Sequence, residues 1–127
     1  MPFDHEIGEE VLGVPVLVRD TDLRDSMSGI SSFVNGIGLG VESRLPRASV
    51  FGCEAMWFYF SNLVHPSAAV DTSACLGNGN HIMAQALIGT GARIANNCIV
   101  NSGAVVSHDV VLCDNVLVAP GTVLATR

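Results

Sequence analysis

The sequence contains no lysine: its six positive charges are all arginines, set against twelve Asp and Glu residues, for a net charge of −6. Nucleic-acid binding requires a basic surface that replaces the counterions of the phosphates. This acidic chain lacks such a surface, so we do not expect a nucleic-acid partner.

Long hydrophobic runs are also missing, although 49% of the residues are hydrophobic and only 14% are charged. No stretch approaches the ~20 apolar residues of a membrane-spanning helix, so no membrane partner is expected. The N-terminal MPFDHEIGEE has neither the basic nor the apolar segment of a secretory signal. We therefore expect a cytoplasmic protein, with one ordinary domain or two small ones in 127 residues. The cysteines form no CxxC pair, which in a cytoplasmic protein favours packing residues over disulfides or zinc ligands; they are Cys53, Cys75, Cys98 and Cys113.

A six-residue repeat begins at Val64 and continues without an insertion. Its units read VHPSAA, VDTSAC, LGNGNH, IMAQAL, IGTGAR, IANNCI, VNSGAV, VSHDVV, LCDNVL, VAPGTV and LATR. The first position is always Val, Leu or Ile, the fifth is mostly small, and the second to fourth are rich in turn formers. The fifth position and the next first position are two residues apart, so they face the same side of a strand. Each unit therefore predicts a short strand and a turn, and the series predicts a parallel β solenoid with an apolar interior. Asn80, at a fifth position, would need a hydrogen-bonding partner inside it.

The sixth positions should point outward. The pattern resembles the hexapeptide-repeat acyltransferases, in which three units make one coil, and this resemblance implies that sixth positions stack at intervals of eighteen residues. Stacked exposed aliphatics form a larger patch than a monomer usually shows, which favours a subunit interface over scattered surface residues. The predicted columns are Ala69, Leu87, Val105 and Val123; His81, Ile99 and Leu117; and Cys75, Arg93 and Val111.

The first 62 residues have a different texture that predicts strand–helix–strand alternation and a small parallel α/β unit. Strands are predicted at GVPVLV (13–18), SSFVNGIGLG (31–40) and WFYFSNLVHP (57–66). Helices are predicted from Asp20 to Met27 and from Ser43 to Met56. The GIGLG stretch lacks a complete G-x-G-x-x-G, so a strand-end turn is the simpler interpretation.

One titratable pair, His108–Asp109, lies within the repeat, at the third and fourth positions of VSHDVV. The third position places His108 in a turn at a corner of the solenoid. A histidine beside a carboxylate is suited to general-base catalysis, because its ordinary pKa lies near neutral pH. A turn histidine is, by itself, more often a solvated turn residue.

The repeat resembles the hexapeptide-repeat, left-handed β-helix acyltransferases. The order GEEVLGVPVL … FVNGIG … R … F.NLVHPSA is similar to the sugar acetyltransferases of bacterial sialic-acid and UDP-amino-sugar pathways. The resemblance implies a mainly β protein: a partial α/β (Rossmann-like) sugar-nucleotide-binding domain over 1–62, followed by a left-handed β-helix over 63–127. It further implies transfer of acetyl from acetyl-CoA to an amine or hydroxyl of a sugar or nucleotide sugar, in a homotrimer.

The same resemblance implies roles for individual residues. NSGAVVSHD is similar to the segment that holds the catalytic histidine, which makes His108 the candidate base and Asp109 its partner. Asn101 and Thr126 become candidates for acetyl-CoA binding, although Asn101 can equally be a turn former. Gly38 is a candidate for the substrate pocket.

The chain also departs from this family. It lacks the family's opening strand and Gly-His loop, it has fewer coils at its end, and Leu117 stands where the family usually has a second histidine. We therefore expect a chain truncated at both ends, and a non-catalytic oligomerisation or binding module is the alternative function. An acyltransferase that acts on another small molecule, such as an amino acid, is a third. A metal site would require converging histidines; His65, His81 and His108 lie at different repeat positions, so no metal is predicted.

Overall fold

The computed structural model describes residues 7–17, 29–30, 32–34 and 59–126. The chain divides into two compact units, residues 1–31 and 32–127. The domain boundary that the repeat predicts, between residues 62 and 63, remains a prediction. No helix long and apolar enough to cross a membrane occurs in the ranges that the structure describes.

In the first unit, β1 (Glu10–Val11) and β2 (Val14–Pro15) form an antiparallel hairpin. The strand predicted over 13–18 is present as β2, but its expected burial is wrong, because Val14 and Leu17 are 66% and 69% exposed. Leu12 and Gly13 both adopt positive φ, 51° and 80°, which turns the chain back after two residues. The prediction of burial rested on the apolar residues of this run and did not take the turn at Leu12–Gly13 into account.

In the second unit, β3 (Ser32–Phe33) pairs in parallel with β4 (Tyr59–Phe60). The parallel pairing fits the predicted strand–helix–strand order. The two predicted helices, at 20–27 and 43–56, lie outside the described residues. A Rossmann-like sheet is not present among the residues that are described, where β3 and β4 form a sheet of two strands.

The remainder of the second unit is a parallel β solenoid, as the repeat predicts. Three sheets form its sides, and partners along each sheet are eighteen residues apart in sequence. Eleven two-residue strands make three full coils and two sides of a fourth. Their bounds are β5 Leu63–Val64, β6 Ala69–Val70, β7 Cys75–Leu76, β8 His81–Ile82, β9 Leu87–Ile88, β10 Arg93–Ile94, β11 Ile99–Val100, β12 Val105–Val106, β13 Val111–Leu112, β14 Leu117–Val118 and β15 Val123–Leu124. Whether the solenoid is left-handed remains a prediction.

The buried core follows the repeat position by position, which confirms the inward assignment. Every buried apolar residue occupies a first or a fifth position. Full burial of such an Ile, Val or Leu side chain contributes about 1.5–3 kcal/mol, so the stack of first positions is the main source of stability. The core comprises Ile82, Ala86, Ile88, Ala92, Ile94, Cys98, Val100, Ala104, Val106, Leu112 and Val118.

Asn80 is the buried polar residue of this core, and the structure gives it the partners that it needs. Its side chain is fully buried; its Oδ1 accepts from the Cys98 amide at 2.8 Å, and its Nδ2 donates to the Ala95 carbonyl at 2.8 Å. Its own amide donates to Asn62 Oδ1 at 2.8 Å. The asparagine therefore cross-links coils from within.

The sixth positions point outward and stack as predicted. Leu87 pairs with both Ala69 and Val105, and Ile99 with both His81 and Leu117. Several of these side chains are well exposed, with Leu87 at 42% and Leu117 at 46%. The columns exist; that they form a subunit interface remains a prediction.

Candidate active site

The turns of the solenoid share one backbone requirement at the fourth repeat position. From residue 79 to residue 121 this position has positive φ in every unit, a conformation that Gly, Asn and Asp tolerate best. Asp109, with φ of 59°, is therefore compatible with the turn for structural reasons as well as chemical ones. The residues concerned are Gly79, Gln85, Gly91, Asn97, Gly103, Asp109, Asn115 and Gly121.

The turn that carries His108 stacks on the equivalent turn of the preceding coil. The Asp109 amide donates to the Thr90 carbonyl at 2.9 Å. A Cβ on Gly89 would lie 2.7 Å from the His108 nitrogen, which is closer than real Cβ atoms come. The two backbones therefore touch because Gly89 has no side chain, and this contact fixes the position of the His108 backbone.

The side chains of His108 and Asp109 are in contact at this corner, with 3.0 Å between Nδ1 and Oδ2. Both side chains are exposed, at 68% and 74%. A carboxylate oxygen can only accept a hydrogen bond, so in a neutral ring this contact favours the tautomer with the proton on Nδ1 and the lone pair on Nε2. A neutral imidazole in this tautomer can take a proton at Nε2.

A second polar group lies on the same corner, in the first coil, and sequence reasoning missed it. The Asp71 Oδ1 accepts from the Ser73 hydroxyl at 2.6 Å and from the Ser73 amide at 2.9 Å, while Oδ2 accepts from the Thr90 hydroxyl at 3.1 Å. These bonds, those from Ser73 first, hold the pKa of the Asp71 carboxyl below its usual value. The D-x-S spacing at a turn is the sequence feature that indicates such a group.

This group predicts a pH dependence of stability. The Asp71 pKa is lower in the folded state than its ordinary 3.8, so its contribution is present above about 3.8 and is lost as the pH falls further. In Asp71→Asn we expect a lower Tm than in the wild type at pH 7, and the difference should narrow below pH ~3.8. Thermal melts from pH 7 to 3 measure this. A difference that grows with acidification would contradict the assignment.

The structure places the other predicted site residues as follows. Thr126 is eighteen residues after His108 and continues the same corner, since β12 and β15 pair in that register. Asn101 is half-buried and lies at the preceding corner, where its amide donates to the Val118 carbonyl. His108, Asp109 and Thr126 therefore share one corner, and Asn101 occupies the corner before it. Gly38 lies outside the described residues.

The other histidines and cysteines that the structure describes have ordinary local surroundings, and His5 lies outside the described residues. His65 Nδ1 contacts its own turn neighbour, Ser67 Oγ, at 2.8 Å, and His81 lies on β8 in an outward column. Within the described ranges, no three His, Cys, Asp or Glu side chains gather in a way that could hold a metal ion. Cys98 is buried, Cys75 and Cys113 are exposed, and none of these three described cysteines forms a disulfide. Cys53 lies outside the described residues.

Comparison with known proteins identifies the repeat. The family model for the bacterial transferase hexapeptide (six repeats) matches residues 91–126. The acetyltransferase domain of PglB from Neisseria gonorrhoeae FA1090 superposes with a TM-score of 0.81 at 31% identity, covering 96% of this chain and 58% of that one. Residues 91–126 thus match the bacterial transferase hexapeptide repeat, and the chain is similar to an acetyltransferase domain of known structure.

Two further solved structures resemble this hexapeptide-repeat chain. The same PglB domain in complex with acetyl coenzyme A has a TM-score of 0.80 at 31% identity, with 96% of this chain and 58% of that one covered. PerB from Caulobacter crescentus, in complex with CoA and GDP-perosamine, has a TM-score of 0.68 at 36% identity, covering 82% of this chain and 51% of that one. This hexapeptide-repeat chain thus spans between half and three fifths of the length of these relatives. A search of curated proteins gave no match.

Proposed function

We propose that this chain transfers an acetyl group from acetyl-CoA to an amine or hydroxyl of a nucleotide sugar, with His108 as the general base. The observation that carries the proposal is the exposed imidazole whose Nδ1 lies 3.0 Å from the Asp109 carboxylate. It is supported by the similarity to the PglB domain and to PerB, whose structures contain acetyl coenzyme A, and CoA with GDP-perosamine, respectively.

The proposed step uses the unprotonated Nε2 of His108. As the acceptor nitrogen or oxygen attacks the thioester carbonyl carbon, Nε2 takes the proton that the acceptor loses. The carbon–sulfur bond breaks, CoA leaves as a thiolate, and the proton held by the imidazole returns to that sulfur. Asp109 keeps the proton of Nδ1 in place and stabilises the imidazolium that forms.

The acyl donor and the acceptor would lie on either side of this corner. Thr126, on the His108 corner, and Asn101, one corner earlier, are proposed to contact the donor, and Gly38 the acceptor. Since His108 is exposed rather than enclosed, we propose that a neighbouring copy completes the pocket in a homotrimer. The outward columns through Leu87 and Leu117 would form its interfaces.

Thiol release from acetyl-CoA in the presence of UDP- or GDP-linked amino sugars tests the proposal. We expect acceptor-dependent release of free CoA, measured with a thiol reagent. The alternative, a non-catalytic oligomerising or binding module, predicts no release and no heat of acetyl-CoA binding in titration calorimetry. If the protein binds acetyl-CoA but turns over no amino sugar, the proposed donor site stands and the proposed acceptor class is refuted.

Asp109→Asn tests the role of the acidic partner. Asparagine fits the turn, because Asn97 and Asn115 occupy the same repeat position with similar positive φ. The substitution removes the charge that stabilises the imidazolium, so we expect kcat to fall about 10-fold, with the KM for acetyl-CoA little changed. Steady-state kinetics measure this. Asp114→Asn, at an exposed turn of another corner, is the control, and an equal loss in both variants would count against Asp109 as partner.

A further inference from the structure

The carboxylate of Asp109 rests on a glycine of the preceding coil. A Cβ on Gly91, eighteen residues earlier, would lie 2.6 Å from Asp109 Oδ1 and 3.6 Å from its Cγ. Real Cβ atoms essentially never come within 3.0 Å of another heavy atom in this way. The oxygen therefore occupies the space that any side chain at position 91 would take.

The two oxygens of this carboxylate have separate contacts. Oδ1 lies against Gly91, and Oδ2 lies 3.0 Å from His108 Nδ1. We propose that Gly91 is a positioning residue for His108: its missing side chain lets the Asp109 carboxylate lie in the orientation that holds the ring proton on Nδ1. The catalytic meaning of this inference rests on the proposed function, whereas the geometric part does not.

The same packing occurs at another corner without a histidine. A Cβ on Gly79 would lie 2.6 Å from the Oδ1 of Asn97, again eighteen residues later, and the residue before Asn97 is Asn96. A glycine beneath an Asx side chain is thus a general way of stacking these turns. At Gly91 the second oxygen of the Asp109 carboxylate faces the His108 imidazole, so the packing against Gly91 can influence which ring nitrogen carries the proton.

The chain provides a control that separates this contact from backbone strain. Gly91 and Gly121 share the fourth repeat position and a φ of +67°, but a Cβ on Gly121 would meet nothing within 4 Å. Alanine at either site meets the same unfavourable φ, and only at position 91 does it displace the carboxylate. A difference in behaviour between Gly91→Ala and Gly121→Ala therefore reports the contact between position 91 and the Asp109 carboxylate, and not backbone strain.

The first measurement is the tautomer of His108, read from the ¹⁵N chemical shifts of its ring and assigned by their loss in His108→Ala. We expect the Nδ1–H form to dominate in the wild type and in Gly121→Ala. It should give way to the Nε2–H form in Gly91→Ala and in Asp109→Gly, which removes the side chain and tolerates the turn. An unchanged tautomer in Gly91→Ala overturns the proposal, whether or not Asp109→Gly changes it and whether or not the protein is an enzyme.

The second measurement is kcat. Gly91→Ala should lower kcat about 10-fold relative to Gly121→Ala, with the acetyl-CoA KM unchanged. In an Asp109→Gly background, where the carboxylate is absent, adding Gly91→Ala should change kcat no more than adding Gly121→Ala does. A Gly91→Ala loss that persists in this background overturns the positioning role. A wild-type protein without turnover refutes the proposed function instead, and the tautomer measurement then decides the inference.

Discussion

Replacing His108 with alanine is expected to lower kcat for acetyl transfer by about 10²- to 10⁴-fold, the contribution that a positioned general base makes. The side chain is 68% exposed and its ring contact is with Asp109 of its own turn. Its removal opens no cavity in the solenoid, so the Tm should change little. Steady-state thiol release and a thermal melt of the same preparation separate chemistry from folding.

His65→Ala is the matched control for this experiment. His65 is also an exposed turn histidine, and its Nδ1 is held at 2.8 Å by its own neighbour Ser67. It lies at a different corner, so its loss should leave kcat within about 2-fold of the wild type. Equal activity of His108→Ala and the wild type would refute His108 as the base while leaving the fold assignment intact.

Replacing Asn80 with alanine is expected to lower the free energy of unfolding by about 2–4 kcal/mol, because one buried and one partly buried backbone group lose their partners. These groups are the Cys98 amide and the Ala95 carbonyl, each 2.8 Å from the Asn80 side chain. Alanine is the common residue at this repeat position, as at Ala86 and Ala104, so the backbone should accept it. The lost stability therefore measures the contribution of the Asn80 side-chain hydrogen bonds inside the solenoid. Urea unfolding followed by circular dichroism provides the number.

Asn78→Ala serves as the comparison, since Asn78 lies on the same turn but is exposed. The backbone amide of Asn78 donates to Asn96 Oδ1 at 2.9 Å. This bond does not involve the Asn78 side chain, so it survives the substitution. We expect a change within about 0.5 kcal/mol for this surface position. Similar losses for Asn78→Ala and Asn80→Ala would mean that the buried hydrogen bonds are not the cause.

The sequence predicted the solenoid well because its information is periodic. A hydrophobic residue at every sixth position specifies side, strand and turn at once, so Ile88 could be placed in the core and Leu87 outside it without any structure. The same count placed His108 in a corner turn. The requirement of Asn80 for a partner followed from its inward position alone.

What could not be predicted depends on contacts between coils or on single turns. The bond from Thr90 to Asp71 and the closeness of Gly89 to the His108 backbone each join residues nineteen apart, and both depend on how two turns stack. The hairpin at Leu12–Gly13 was missed because the surrounding valines were weighted as core. The roles of Asn101 and Thr126 depend on a bound donor, and they remain predictions.

The unbroken eighteen-residue register has a consequence for how such a rod can change in length. Neighbouring strands of a sheet lie about 4.8 Å apart, so the rod grows or shrinks in layers of that thickness. A gain or loss of one residue within a side would turn inward residues outward in every later layer, whereas a gain or loss of eighteen would leave each face continuous. Distances along a corner, including that from His108 to any group bound further along it, are therefore multiples of this layer thickness.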